Sequence, residues 1–385
     1  MESTPLKLLL FLTLIHHLES HSSASTLPKE ALPTKSGYLP VNSTTGSAIF
    51  YAFYEAKNTS NTSLSETPLV IWLQGGPGCS SMTGNFYELG PWRVTASVKQ
   101  NVEHLTLEPN PGESYSGKYV PSIGYYILKK NPLLPASKRI NLYGLAIGNG
   151  LTDPATQVAT HALHSYNLGL INEKQKTQME KLQIKAIELT KAGNWSNATD
   201  ARNNVLGFLH SITGLATLYD FRRQGPYRSD WVEEFLKNPE VKKALGVNES
   251  MVFEECSDVV GAAVHEDVMK SVKYMVEFVV KNTKLLLYQG QCDLRDGVVS
   301  VESWVKKMKW EGIGKFLDAE KDVWRVNGVV AGYVQKWDNL SHVVVLGAGH
   351  FVPTDQNVNS QAMIENWVLR LLSRMLKSFQ LIFDH

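Results

Sequence analysis

The 385-residue sequence is poor in cysteine: only Cys79, Cys256 and Cys292 occur, and the odd count leaves at least one thiol unpaired. It also lacks an excess of charge. Lys plus Arg total 38 against 37 Asp plus Glu, a formal charge of +1 with no basic run or stripe, which argues against a nucleic-acid partner. The apolar run Leu8–Ile15 is too short to span a bilayer. No Gly-Lys-Ser/Thr follows the glycine-rich stretch Gly75-Gly76-Pro77-Gly78, so a phosphate loop is a poor reading of it. What is present is an ordinary globular balance, with 43% hydrophobic residues, 28 Gly, 16 Pro and 9 Trp, aromatic enough to wall a pocket. A chain of this length buries a sizeable core as one large domain with room for an insertion, and disorder is expected only at its ends.

Lys7, the apolar run behind it and the small residues Ser20, Ser22, Ser23 and Ala24 read as a secretory signal peptide over residues 1–24. Asn-x-Ser/Thr sequons at Asn42, Asn58, Asn61, Asn194, Asn197, Asn248 and Asn339 agree, because such sites are glycosylated only in chains that enter the secretory pathway. The expectation is a secreted or vacuolar glycoprotein.

Ser114 lies two residues after Gly112 and three before Gly117. A serine hydroxyl attacks a carbonyl only where a base takes its proton and a sharp turn presents the oxygen, and a Gly-x-Ser turn between strand and helix supplies the turn. Alone, the pattern is also that of a surface turn. Downstream, Gly290-Gln291-Cys292-Asp293-Leu294-Arg295-Asp296-Gly297 follows the apolar run Leu285–Tyr288, and Gly347-Ala348-Gly349-His350 follows Val343–Leu346. Ser, then Asp, then His is the chain order of α/β-hydrolases, whose triads assemble on loops at the carboxyl ends of parallel strands. Asp296 and Asp258 are the nearest rivals to Asp293; His161, His164, His265 and His342 lack the Gly-x-Gly-His setting and read as surface or core residues. Cys292 has no histidine near it in sequence and reads as inert packing rather than as a nucleophile.

Along the chain, Ala48–Tyr54 and Leu69–Leu73 read as strands, the second buried, and Ile140–Ile147 as a strand covered on both faces. The pattern turns helical from Thr156 to Val247, with a long charged helix over Asn172–Ala192 and shorter ones over Trp231–Leu236 and Pro239–Leu245. His265–Asn282 reads as one amphipathic helix feeding the Leu285–Tyr288 strand. Val323–Val326, Val329–Trp337 and His342–Leu346 look like an antiparallel ending, Val358–Leu372 a closing helix, and residues 373–385 a tail.

With these motifs, with Trp72-Leu73-Gln74-Gly75-Gly76-Pro77-Gly78-Cys79-Ser80-Ser81 and with Ala146-Ile147-Gly148-Asn149-Gly150, the chain resembles the serine carboxypeptidase family from about Ser36 to about Leu369. The resemblance implies an α/β-hydrolase fold, a central and mostly parallel sheet with helices on both faces. The core then lies in residues 30–155 and 248–372, and a helical cap insertion in 156–247. It implies a Ser114, Asp293, His350 triad, an oxyanion hole from the Gly76 and Tyr115 N–H groups, and a Cys79–Cys256 disulfide, worth roughly 4 to 5 kcal/mol in the chain-entropy model. It implies neither metal nor cofactor. Glu88 and Glu113 match two carboxyl groups that share a proton and donate to the terminal carboxylate of a peptide, with Gln74 as a further donor and Trp72 as a wall. The other reading of Glu88 is an exposed helix acid. One departure stands out: in the family several strands and a helix separate the Leu107-Glu108-Pro109-Asn110-Pro111 stretch from the serine turn, whereas here it abuts Gly112. The central strand before the nucleophile is therefore expected to be absent. Three functions fit: a serine carboxypeptidase acting on peptides, weakened or inactive in this form; an acyltransferase moving small acyl groups from glucose esters; and a non-catalytic secreted glycoprotein.

Overall fold

The computed structural model describes residues 31–55, 67–88, 90–94, 98–100 and 111–368, with the backbone alone at 98–100, 111 and 112. The expected signal peptide, Asn58, Asn61 and the tail lie outside the described residues. Two units separate by their internal contacts. The first holds residues 31–55, 92–94, 98–100 and 230–253, and the second the rest of the described residues.

In the first unit, β1 (Lys35–Asn42) and β2 (Ser47–Phe53) form an antiparallel hairpin. Its turn is made by Asn42, whose Oδ1 accepts from Thr44 N at 2.9 Å and Thr45 N at 3.3 Å, the local bonding that suits asparagine to turns. A small antiparallel pair, β3 (Trp92–Val94) and β4 (Val98–Gln100), and the helices Asp230–Lys237 and Pro239–Ala244 complete it.

The second unit is built on six strands: β5 (Pro111–Glu113), β6 (Gly144–Gly148), β7 (Lys284–Gly290), β8 (Lys321–Val326), β9 (Val329–Trp337) and β10 (Leu340–Val345). Their order is β5-β6-β7-β10-β9-β8, parallel from β5 to β10 and antiparallel beyond. Alternation along β7 sends Leu285 and Leu287 to one face, where Val276, Val279 and Val280 of the helix Lys273–Asn282 and Trp304 of the helix Val298–Val305 cover them. Leu286 and Tyr288 face the opposite layer with Val343, Val345 and, from the helical residues 357–368, Met363 and Ile364. Such two-sided cover is why β6 and β7 read as continuous apolar runs. The long helix over 173–191 forms as expected, with Asn172 and Gln175 in a reciprocal capping box, and it packs with the helix Trp195–Thr213 around Met179, Ala186, Ala198, Val205 and Leu209. No helix among the described residues is long and apolar enough to cross a membrane.

Three sequence expectations differ from the structure. Leu69–Leu73 is not a buried strand: it lies outside the six-stranded sheet, and Leu69 and Ile71 are 67% and 48% exposed. An apolar run becomes a buried strand only between two partners, and the described sheet ends at β5. Secondly, the helix expected from His265 begins only at Lys273. Residues 265–272 turn instead, because Lys118 of the helix Ser116–Lys130 gathers the carbonyls of Asp267 and Lys270 and the Asp267 carboxylate, leaving those carbonyls unavailable to a helix ladder. The third concerns Ser114. Three residues of strand do precede it, but at the edge of the described sheet rather than at its centre, where a proline without an N–H is tolerated as first residue.

Candidate active site

Ser114, Asp293 and His350 all follow carboxyl ends of parallel strands: β5, β7 and β10. Ser114 has φ 61°, in the left-handed region that a side chain enters only when its surroundings hold it there. They do so through the backbone. Ser114 N donates to Gly148 O at 3.0 Å, and Ser114 O accepts from Gly117 N and Leu151 N, each at 2.9 Å. The turn then runs into the helix Ser116–Lys130, where Ser116 Oγ donates to Leu73 O at 2.5 Å. The neighbouring Tyr115 hydroxyl is fixed to Asp267 Oδ2 at 2.6 Å.

His350 Nδ1 lies 2.7 Å from Asp293 Oδ2, and both residues are fully buried. Backbone N–H groups of Arg295 (2.7 Å) and Asp296 (3.3 Å) donate to the Asp293 carboxylate and fix its plane. His350 Nε2 is buried with no hydrogen-bond partner, so the imidazole is aligned by aspartate on one side and unpartnered on the other. The rivals are elsewhere: Asp296 meets Arg202 at 3.6 Å and Gln157 at 3.3 Å, and Asp258 is exposed. His161 is buried against Leu294 O, with its pKa pushed down to about 3 by burial, and His342 is buried beside Gln289. Burial likewise pushes the Cys292 thiol up to about 11, which removes the thiolate that a nucleophile needs.

The glycine loop lies against Ser114. A Cβ on Gly75 would stand 2.5 Å from Tyr115 N and 2.9 Å from Ser114 Cβ, closer than real atoms approach, so only glycine lets the loop pass there. Gly76 follows with φ +105°. The Cys79–Cys256 disulfide holds the loop's far end, flanked by Ser80 N to Glu255 O (2.8 Å) and Ser257 N to Gly78 O (3.0 Å). Gly75→Ala is expected to force this loop off Ser114 and to lower kcat about 100-fold or more, the loss typical of an oxyanion donor, with KM little changed. Steady-state kinetics of the variant checks it.

Glu113 and Glu88 come together in the interior. Both are buried, Glu88 on the five-residue π-helical turn Gly84–Glu88, and Glu88 is the charged group that acts most strongly on Glu113. Glu113 Oε1 also accepts from Val352 N at 3.3 Å. Burial first, and then the neighbouring Glu88, hold the Glu113 carboxyl well above the usual carboxylate range. Glu88 is thus not an exposed helix acid. Trp72 Nε1 donates to Gln74 Oε1 at 2.7 Å, which leaves the Gln74 NH₂ as the end that donates elsewhere.

Two features were not foreseen. Asn149, in the Gly-Asn-Gly turn after β6, donates from Nδ2 to Gly349 O (3.0 Å) and His350 O (2.9 Å) and accepts from Gly290 N (3.0 Å), tying the aspartate and histidine loops together. Residues 218–222 thread between the same loops. Leu218 O accepts from Leu294 N, Phe221 N donates to Cys292 O, and Tyr219 O accepts from His350 N at 2.6 Å. The Tyr219 ring rests on the imidazole at 4.6 Å. An asparagine between glycines was a signal available in sequence; nothing local marks Tyr219.

Of the expected glycan acceptors, Asn42, Asn194, Asn197 and Asn248 are exposed, whereas Asn339 is half-buried and donates from Nδ2 to Val280 O at 2.9 Å.

Comparison with known proteins agrees with this geometry. The model of the Peptidase S10, serine carboxypeptidase, family matches residues 26–110 and 111–370, two segments that meet at Asn110 and Pro111. Serine carboxypeptidase-like 50 of Arabidopsis thaliana is 51% identical, with 89% of each chain covered. Its alignment runs over 399 positions, more than this chain has residues, so it opens gaps in the chain. A probable serine carboxypeptidase of Dictyostelium discoideum is 31% identical over 87% of this chain and 78% of its own. Among solved structures, the prohormone-processing carboxypeptidase Kex1 of Saccharomyces cerevisiae superposes with a TM-score of 0.75 at 23% identity, covering 89% of this chain and 93% of its own, which identifies the α/β-hydrolase fold.

Proposed function

We propose, because this chain belongs to the serine carboxypeptidase family, that it releases C-terminal residues from peptides through a Ser114, Asp293, His350 triad and an acyl-enzyme. In this reading Ser114 Oγ attacks the last peptide carbonyl and passes its proton to His350 Nε2. Asp293, 2.7 Å from Nδ1, holds the tautomer and stabilises the imidazolium. Negative charge developing on the carbonyl oxygen meets the Gly76 and Tyr115 N–H groups. The leaving amine takes the proton from His350, and water, activated by the same imidazole, then frees the acyl group. No metal or cofactor is required.

The single observation that carries this reading is the buried Glu88–Glu113 pair beside the nucleophile. Two neighbouring carboxyl groups buried together do not both ionise cheaply, and a retained proton is a donor for a peptide's terminal carboxylate. Gln74 offers a second donor and Trp72 a wall. The sign follows from the raised pKa: the pair is protonated at low pH, so peptide affinity is expected to be highest below neutrality and to fall as pH rises through the pair's titration. Glu113→Gln keeps a donor at every pH and is expected to extend low KM toward alkaline pH. A KM profile that this substitution leaves unchanged would sink the shared-proton reading. Turnover of a blocked dipeptide and of an acyl-glucose ester, measured side by side, separates peptidase from acyltransferase.

The isolated Nε2 of His350 and the three-residue edge strand before Ser114 favour a further point: this form turns over slowly. We read residues 30–155 and 248–372 as the hydrolase core and 156–247 as the cap. Exposed Asn42, Asn194, Asn197 and Asn248 suit glycan acceptors, in keeping with passage through the secretory pathway to the vacuole or the cell exterior.

A further inference from the structure

Strand register places Glu113 of β5 opposite Gly148 of β6, and Gly148 opposite Tyr288 of β7. Partners on neighbouring strands direct their side chains to the same face, so Glu113 and Tyr288 share a face with a position free of side chain between them. The tyrosine fills that position. A Cβ on Gly148 would stand 2.3 Å from Tyr288 Cζ and 2.5 Å from the phenol oxygen, so the ring lies across the glycine toward β5. Residues packed around it, among them Ala146, Val343, Val345 and Val352, are apolar. Within them the Tyr288 hydroxyl is buried and makes no hydrogen bond, a state that calls for an explanation in any folded protein. The charged groups that act on it are Glu113 and then Glu88; those that act on Glu113 are Glu88 and Asp293.

We propose that Tyr288 is a positioning residue for the carboxyl pair: its hydroxyl, laid across Gly148, donates to the pair when it carries negative charge and so sets the pH up to which the last shared proton is kept. The proposal rests on the reading of Glu88 and Glu113 as the recognition site for the substrate carboxylate. A phenol donating to a carboxylate favours the ionised form, so Tyr288 limits how far into neutral pH the pair stays protonated. Gly148 belongs to the same device, since any larger residue would displace the ring.

The test is independent of turnover. The carbonyl stretch of protonated carboxyl groups is followed by infrared spectroscopy against pH on the full chain, in the wild type, Tyr288→Phe and Glu113→Gln, together with the thermal transition of each. A wild-type band that persists above the ordinary carboxylate range and vanishes in Glu113→Gln identifies the pair. In Tyr288→Phe its midpoint is expected to rise by about one pH unit, the effect of losing one hydrogen bond to a charged group, with no fall in the thermal transition. A midpoint equal to that of the wild type, with the band still lost in Glu113→Gln, overturns the role of Tyr288 and leaves the pair standing; a fall in the thermal transition alone assigns the tyrosine to packing. Absence of any such band in the wild type overturns both readings.

Discussion

Ser114→Ala is expected to remove peptide turnover, by about 10⁴-fold or more, and with it all labelling by a fluorophosphonate. The size of the effect follows from the geometry. Ser114 is held at φ 61° by three backbone hydrogen bonds at the end of β5, with the Gly75-Gly76 loop packed against it. The hydroxyls that follow it in sequence are engaged elsewhere, Tyr115 with Asp267 and Ser116 with Leu73 O. Cys292, the free thiol beside Asp293 in sequence, is buried with its pKa pushed up, and so cannot substitute. Alanine would keep the Gly76 and Tyr115 N–H groups and the Glu88–Glu113 pair, so substrate affinity should survive while the chemical step is lost. Labelling that persisted in the variant would refute the assignment of the nucleophile; lack of labelling in the wild type would favour a non-catalytic glycoprotein.

Where the structure depends on short local patterns, it was legible. The order Ser114, Asp293, His350, the strand exits before the last two, and the start of the long helix at Asn172 could all be read because glycine turns and helix starts are decided within a few residues. Relations across the chain were harder to read. Tyr219 supports His350 from a segment 131 positions away, by a backbone carbonyl that any residue carries. Tyr288 looked like one more apolar strand residue; only the register that pairs it with Gly148, and Gly148 with Glu113, brings its hydroxyl toward the carboxyl pair. The same limit explains the errors. Leu69–Leu73 has the composition of a buried strand, but burial needs partners, and Lys118, which holds residues 267–270 out of a helix, lies far from them in sequence.

Restoring the strands and helix that the family carries between Pro111 and Gly112 is expected to produce the second large effect. The structure indicates how the shortened sheet closes: β5 supplies three residues against β6, and the sheet stops there among the described residues. Leu69 and Ile71 are left 67% and 48% exposed. Full burial of such a side chain is worth about 1.5 to 3 kcal/mol, so the two together forgo about 2 to 4 kcal/mol, a large part of a net stability of about 5 to 15 kcal/mol but not all of it. The shortened chain should therefore fold, with a lower thermal transition and a less firmly held turn at Ser114. A misplacement of about 1 Å at a reacting centre costs about 100-fold in rate, which makes turnover the more sensitive quantity. The direct test compares this chain with a version carrying the corresponding residues of the Arabidopsis relative between Pro111 and Gly112, by release of the terminal residue from a blocked dipeptide at acid pH and by thermal unfolding. A restored form at least about tenfold faster, with a transition raised by about 5 °C and Ser114 labelled in both, is the predicted result; equal turnover and an equally cooperative transition in the unrestored chain would contradict it.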